Sequence, residues 1–330
     1  MHWLRRPAVR WLLTILLLGL LAFQLWSRSN HFTSLSLISI QKSFWWFLPA
    51  VLMMPFNWLL ESVKWRSLLC IHFRCSFVQV LKAVMGGVAL SIFTPNRIGE
   101  YGGRLMFMPV EAKWPVVIST LAGSFSQNLI AFTAGVLSCI VLFEGFILLK
   151  IMGLIFIGMA FYFFFNMSKV ILRISTWRTH SIFTKIVLNL RYVEAYTPNV
   201  LIKVLCIALL RYLIYTIQYV LILHAFEPDI QPVHLLLGIS AIYLFQTLIP
   251  LPPGADVMAR ANLGLILWSG TGMSELSISL ASLMIWVINL LIPALIGSFI
   301  IGTTASLISL DKNESNIPPA LMPVASESTE

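Results

Sequence analysis

Long apolar stretches alternate with short polar breaks along the whole chain. Apolar runs at 11–26, 44–60, 115–142, 146–167, 201–225 and 276–306 each approach or exceed the roughly 20 residues that a helix needs to cross about 30 Å of hydrocarbon. Shorter apolar stretches lie between them at 83–94, 233–249 and 261–270. At 1.5 Å per residue the first covers only about 18 Å, enough to reach mid-membrane but not the far side. The pattern predicts an all-α polytopic membrane protein with about six full transmembrane helices and two re-entrant or broken helices.

The breaks themselves repeat. IFTPNRIGEYGGR (Ile92 to Arg104) and LIPLPPGADVMAR (Leu248 to Arg260) each carry a Pro, a Gly four residues later, then an acid, then an Arg four residues beyond the acid. The register is Pro95, Gly99, Glu100, Arg104 in the first and Pro250, Gly254, Asp256, Arg260 in the second. Charges are costly near lipid, so their recurrence in two interrupted segments marks a candidate working site. Backbone freed by Pro and Gly persists at membrane depth only inside protein or beside a water-filled cavity. Guanidinium groups at Arg97, Arg104 and Arg260 offer bidentate contacts to phosphate. Gly99 lets the chain approach a ligand closely. Glu100 and Asp256 would neutralise the site or couple it to protons. The competing reading is structural: if a helix resumes after Gly99, Glu100 and Arg104 lie at i, i+4 and pair with each other, as do Asp256 and Arg260.

Charge sets the expected orientation. Arg5, Arg6 and Arg10 precede the first run, Lys64, Arg66, Arg74 and Lys82 follow the second, and Lys169, Arg173, Arg178, Lys185 and Arg191 separate the fourth from the fifth. The opposite loops hold Arg28 and Lys42, then Glu144, then Glu227 and Asp229. The basic side is expected in the cytoplasm, with both termini there. The two motifs then enter from opposite faces, as an inverted repeat requires. The net charge of +9 is thereby assigned to loops facing anionic lipid, not to nucleic acid. With 58% apolar and 11% charged residues, little of the chain is left for a soluble domain.

Further polar residues fall inside the spans. Gln127 and Asn128 in the third and Arg211 in the fifth are candidates for a polar path, while Asn57 and Glu61 stand in or beside the second and Asn289 in the last. Trp45, Trp46, Trp58, Trp65 and Trp114 fit interfacial belts. Cys70, Cys75, Cys139 and Cys206 have no metal spacing and read as packing residues. No metal, cofactor or catalytic nucleophile is expected. The run 11–26 lacks a small-residue cleavage pattern and reads as an uncleaved anchor. The expected division is a transmembrane domain over 1–307 and a disordered polar cytoplasmic tail over 308–330.

SIFTPNRIGEYGGR, preceded by WLLESVKWRSLL (Trp58 to Leu69) and followed by a second Pro/Gly-rich break, resembles the lysylphosphatidylglycerol synthase transmembrane-region family of flippase-like membrane proteins. The resemblance covers nearly the whole chain and makes Pro95, Arg97, Gly99, Glu100 and Arg104 the first-motif positions. The second motif departs from the family's paired-Gly pattern in reading PLPPGADVMAR. Members resemble the membrane module of bacterial enzymes that attach amino acids to phosphatidylglycerol and move the product between leaflets. That implies a bacterial cytoplasmic (inner) membrane protein acting on membrane lipids or polyprenyl-linked carriers, alone or beside a separate synthase or glycosyltransferase. No aminoacyltransferase domain is expected here, so lysyl transfer is not carried over. The expectation is a lipid or lipid-linked carrier translocase binding an anionic headgroup. The alternatives are a membrane enzyme acting on a phosphate-linked headgroup, with Glu100 or Asp256 as general base, and a structural partner of a synthase.

Overall fold

Helices account for every regular element in the computed structural model, which describes residues 37–92, 94, 97–175, 189–249 and 253–314. The run 11–26, together with Pro95, Pro250, Arg178 and Lys185, lies outside the described residues. Helix α1 (Leu37–Leu69) leads the first half. It is followed by the short helices α2 (Phe77–Ser91) and α3 (Gly99–Leu105), and by the long α4 (Lys113–Leu142), which a 3-10 turn at Val110–Ala112 introduces. Helices α5 (Ile147–Phe165) and α6 (Met167–Ser175) connect to the second half. There the same order recurs: a long α7 (Pro198–Phe226), short helices α8 (Pro232–Leu248) and α9 (Pro253–Leu267), then α10 (Glu275–Trp286), which runs through a π-helical turn at Val287–Leu291 into α11 (Ile292–Glu314).

Five described helices are long and apolar enough to cross a membrane: Trp45–Leu69, Val110–Leu142, Ile147–Phe165, Pro198–Phe226 and Glu275–Thr304. They correspond to five of the six predicted spans. Local chemistry starts the shorter elements. Ser76 caps α2 by accepting from Gln79 N at 3.2 Å, and Pro198 and Pro232 open α7 and α8 where a missing N–H is harmless. Two boundaries differ from expectation. The second span continues past residue 60 to Leu69, because Glu61 and Lys64 are buried and paired with each other. The stretch 261–267 is the continuation of α9, which begins at Pro253 and takes in Gly254, Asp256 and Arg260 of the second motif.

The two halves are interlocked. Helices α1 and α7 pack side by side and run antiparallel, since Asn57 meets Arg211, Ala50 meets Gln218 and Phe47 meets Phe226. The first short helix of each half packs on the closing helix of the other half. A Cβ at Gly135 of α4 would lie 2.8 Å from Ser240 O of α8, and one at Gly297 of α11 would lie 2.0 Å from Met85 O of α2. Contacts this close demand glycine. Repeated element order, antiparallel leading helices and reciprocal packing are what an inverted-topology repeat requires.

Candidate functional site

The first motif is folded as a helical hairpin. Thr94 closes its tip, donating to Ser91 O at 3.3 Å and accepting from Gly99 N at 2.7 Å, and Arg97 takes a left-handed backbone with φ 57°. Helix α3 then returns along α2 at backbone contact: a Cβ at Gly103 would lie 2.2 Å from Gly86 O. The return swings Glu100 and Arg104 onto one face, where they form the i, i+4 pair foreseen by the structural reading. The pairing goes much further than that reading supposed.

Glu61 of α1 is the hub of the site. Its Oε1 accepts from Arg104 Nη2 at 2.8 Å, and its Oε2 pairs with Lys64 Nζ at 2.7 Å and with Arg211 of α7. Arg211 also donates to Asn57 Oδ1 at 2.8 Å and to Gln127 Oε1 at 3.0 Å, and Gln127 in turn donates to Ala208 O at 3.3 Å. Arg104 lies 4.7 Å from the Trp65 ring, and Arg211 lies 5.8 Å from both Trp58 and Tyr215. Three cations thus share two carboxylates, Glu61 and Glu100, leaving one net positive charge. Glu61, Lys64, Arg104 and Arg211 are all buried, with Arg104 only 1% exposed. The Nε of Arg104 is buried with no hydrogen-bond partner.

The second motif builds a smaller counterpart. Asp256 pairs with Arg260 at 3.0 Å one turn along α9 and accepts from Gln246 of α8 at 2.5 Å. Arg260 lies 5.8 Å from the Tyr219 ring, whose hydroxyl meets Ser282 Oγ at 2.7 Å. This group is neutral and less enclosed, the Asp256 side chain being 26% exposed. Arg211, Tyr215 and Tyr219 follow one face of α7 at successive turns, so the two clusters are about 12 Å apart along that helix. Tyr243 of α8 braces this strip through its hydroxyl, which donates to Tyr215 O at 3.4 Å.

Of the residues singled out from sequence, the structure brings Glu100, Arg104, Gln127 and Arg211 together and pairs Asp256 with Arg260 nearby. It leaves Arg97 on the exposed outer side of the turn and Asn128 on an exposed flank of α4, one residue round the helix from Gln127. Three corrections concern α1. Lys64, assigned to a cytoplasmic loop, is buried in the cluster, and Glu61 holds its centre. Trp58 and Trp65, read as interfacial belt residues, are 3% and 0% exposed and lie against the guanidinium groups. The available signal was the spacing: Asn57, Glu61 and Lys64 recur at i, i+4, i+7 on one helical face.

Guanidinium forks and an ammonium around an excess positive charge suit an anion with several oxygens, phosphate above all. Among the described residues no group of three or more His, Cys, Asp or Glu side chains is placed to hold a metal ion.

The fold and the site together define a multi-pass helical membrane protein of two interlocked halves around a buried, charge-bearing core. The chain belongs to the family described as lysylphosphatidylglycerol synthase TM region, whose model matches residues 8–297. That membership ties it to lipid modification or transport at the membrane. No curated protein and no solved structure matches the chain.

Proposed function

We propose that the protein is a flippase-like translocase that carries the anionic headgroup of a lipid, or of a lipid-linked carrier, between leaflets while the hydrocarbon chains stay in the bilayer. The observation that carries this reading is the buried cluster of Lys64, Arg104 and Arg211 around Glu61, with its net positive charge. A cation-rich group sealed in a membrane protein is expensive unless it has work to do. Here Glu61 stands where a phosphate would bind: three cations converge on one carboxylate, and an entering phosphodiester competes with it for the same forks. The paired hairpins, each with its first helix packed on the opposite half, support exchange between an inward-open and an outward-open form. In this reading the basic loops and both termini face the cytoplasm of a bacterial inner membrane. Glu61, together with Glu100, is the group through which a proton gradient would act. A synthase or glycosyltransferase would supply the cargo.

The test is reconstitution into vesicles with a fluorescent anionic phospholipid and measurement of leaflet exchange by quenching from outside. Wild-type protein is expected to accelerate exchange, and Arg104→Ala combined with Arg211→Ala to remove the acceleration. Equal exchange by both proteins sinks the proposal.

A further inference from the structure

The connection from α1 to α2 holds a second cluster, which the charge core does not use. Cys70 follows α1 directly, and Cys75 stands just before Ser76, the cap of α2. Their sulfurs approach to 2.9 Å, closer than non-bonded sulfurs ordinarily stand, and Cys70 Sγ also reaches Cys75 O at 3.9 Å. Side chains that already meet are the first requirement for a disulfide. The turn is held in this form. Cys70 N donates to Arg66 O at 2.9 Å and Phe73 N to Leu69 O at 3.1 Å, while the His72 ring stands 5.3 Å from that of Tyr192 and 5.4 Å from that of Tyr196.

The two thiols are not equally placed. Cys70 lines a groove of about 290 Å³ between the end of α1 and the start of α7, together with Val63, Arg66, Ser67, Ile71 and Lys203. Cys75 instead packs against the apolar core around Trp65 and Val80. Arg66 and Lys203 lie at one level of the antiparallel helix pair, nine and eight residues from Asn57 and Arg211, which meet. Both cations are exposed, and among the described residues neither has an ion-pair partner. Two free cations beside a thiol draw in a reagent that is itself anionic. Burial, then the Cys70 thiol, pushes the Cys75 thiol up to about 12, which makes it a poor first nucleophile. Once Cys70 is capped, the second of those causes is gone.

We infer that Cys70 and Cys75 are a redox-active dithiol, oxidised by a small anionic disulfide that docks between Arg66 and Lys203. The Cys70 thiolate attacks one sulfur of the reagent, forming a mixed disulfide and releasing one thiolate, which takes up the proton that Cys70 lost. Cys75 then gives up its proton and attacks Cys70 Sγ, expelling the second reagent thiol. Two protein thiols become one disulfide, and one reagent disulfide becomes two thiols. The new bond ties the end of α1 to the residue before the cap of α2. In the proposed orientation this loop faces the reducing cytoplasm, where such a bond is transient and regulatory.

The test treats the purified, reduced full chain with excess glutathione disulfide, which carries net negative charge, at low ionic strength, and follows each cysteine by peptide mass spectrometry. Wild type is expected to lose two hydrogens as a Cys70–Cys75 disulfide and to regain them with dithiothreitol. Cys75→Ser is expected to stop at a glutathione adduct on Cys70, and Cys70→Ser to leave Cys75 reduced. Cationic cystamine supplies the charge comparison, each rate being divided by that of the same reagent with a small neutral thiol. Glutathione disulfide is expected to react about tenfold faster on this scale, the worth of two exposed charge pairs. Arg66→Gln with Lys203→Gln is expected to level the two reagents. A wild-type chain that keeps both thiols in excess glutathione disulfide, or that stops at a mixed disulfide, overturns the inference without requiring any variant to fold. Cystamine reacting as fast as glutathione disulfide with wild type overturns the docking of an anionic reagent in the groove.

Discussion

The two hairpins share a plan and differ in what they enclose. In the α2–α3 hairpin the acid and the Arg of the motif are drawn into a five-charge group with α1 and α7, whereas in α8–α9 the equivalent pair keeps mainly to itself. The difference comes from the partner helix. Glu61 sits on α1 beneath the first hairpin, while the strip of α7 beneath the second presents Tyr219. The same motif is thus a component of an ionic core in one half and a local ion pair in the other, which is why motif spacing alone could not rank them.

Removing the hub should separate the halves most. Glu61→Ala leaves Lys64, Arg104 and Arg211 buried around one remaining carboxylate, and a loss of about 3–5 kcal/mol is expected, the usual cost of stranding buried charge. Asp256→Ala should cost less, about 1–3 kcal/mol, because a single partly enclosed cation, Arg260, loses its partner. Thermal melting of the detergent-solubilised protein reads both, and equal losses would erase the contrast.

Packing offers a second break. Gly103→Ala puts a methyl on the Gly86 carbonyl and should cost about 1–3 kcal/mol, while Gly102→Ala, whose nearest new neighbour is 4.0 Å away, should lie within about 0.5 kcal/mol of wild type. The same melting experiment checks them.

Arg211→Lys sharpens the comparison at constant charge. It keeps the cation but loses the fork that holds Glu61, Asn57 and Gln127 together, so lipid exchange should fall by about tenfold or more with little change in melting. Arg260→Lys, with a single carboxylate to hold, should fall less.

The smallest effect lies in the connection after α1. Cys70 and Cys75 approach to 2.9 Å between sulfurs, and burial, then the neighbouring Cys70 thiol, pushes the Cys75 thiol up to about 12. Its thiolate is therefore scarce below that pH. Maleimide labelling of Cys75 at pH 8 should be slower than for an ordinary thiol, and should accelerate as pH rises. Mass spectrometry of the labelled chain measures it. Rapid labelling at neutral pH would contradict the burial.

The sequence announced the helices, the short elements in both halves and the motif charges, because these depend on local periodicity and on chain breaks. It also carried Asn57, Glu61 and Lys64 on one face, but the charges of Glu61 and Lys64 made the end of the second span look like a loop. What could not be read was pairing across distance. Arg104 and Glu61 are 43 residues apart and Arg211 and Glu61 are 150 apart, so whether these charges meet or face water is decided only when α1, α3 and α7 pack. Asn128 shows the same limit from the other side: a step of one residue from Gln127 turns it about 100° away from the cluster.

The reciprocal glycine contacts have a mechanical consequence. With α2 clamped to α11 through Gly297 and α8 clamped to α4 through Gly135, neither hairpin can tilt without dragging the last helix of its sister half. In the proposed translocase, tilting on one face of the bilayer would be geared to an opposite swing on the other, like the two arms of a balance, and the linkage would discourage both doors from standing ajar together.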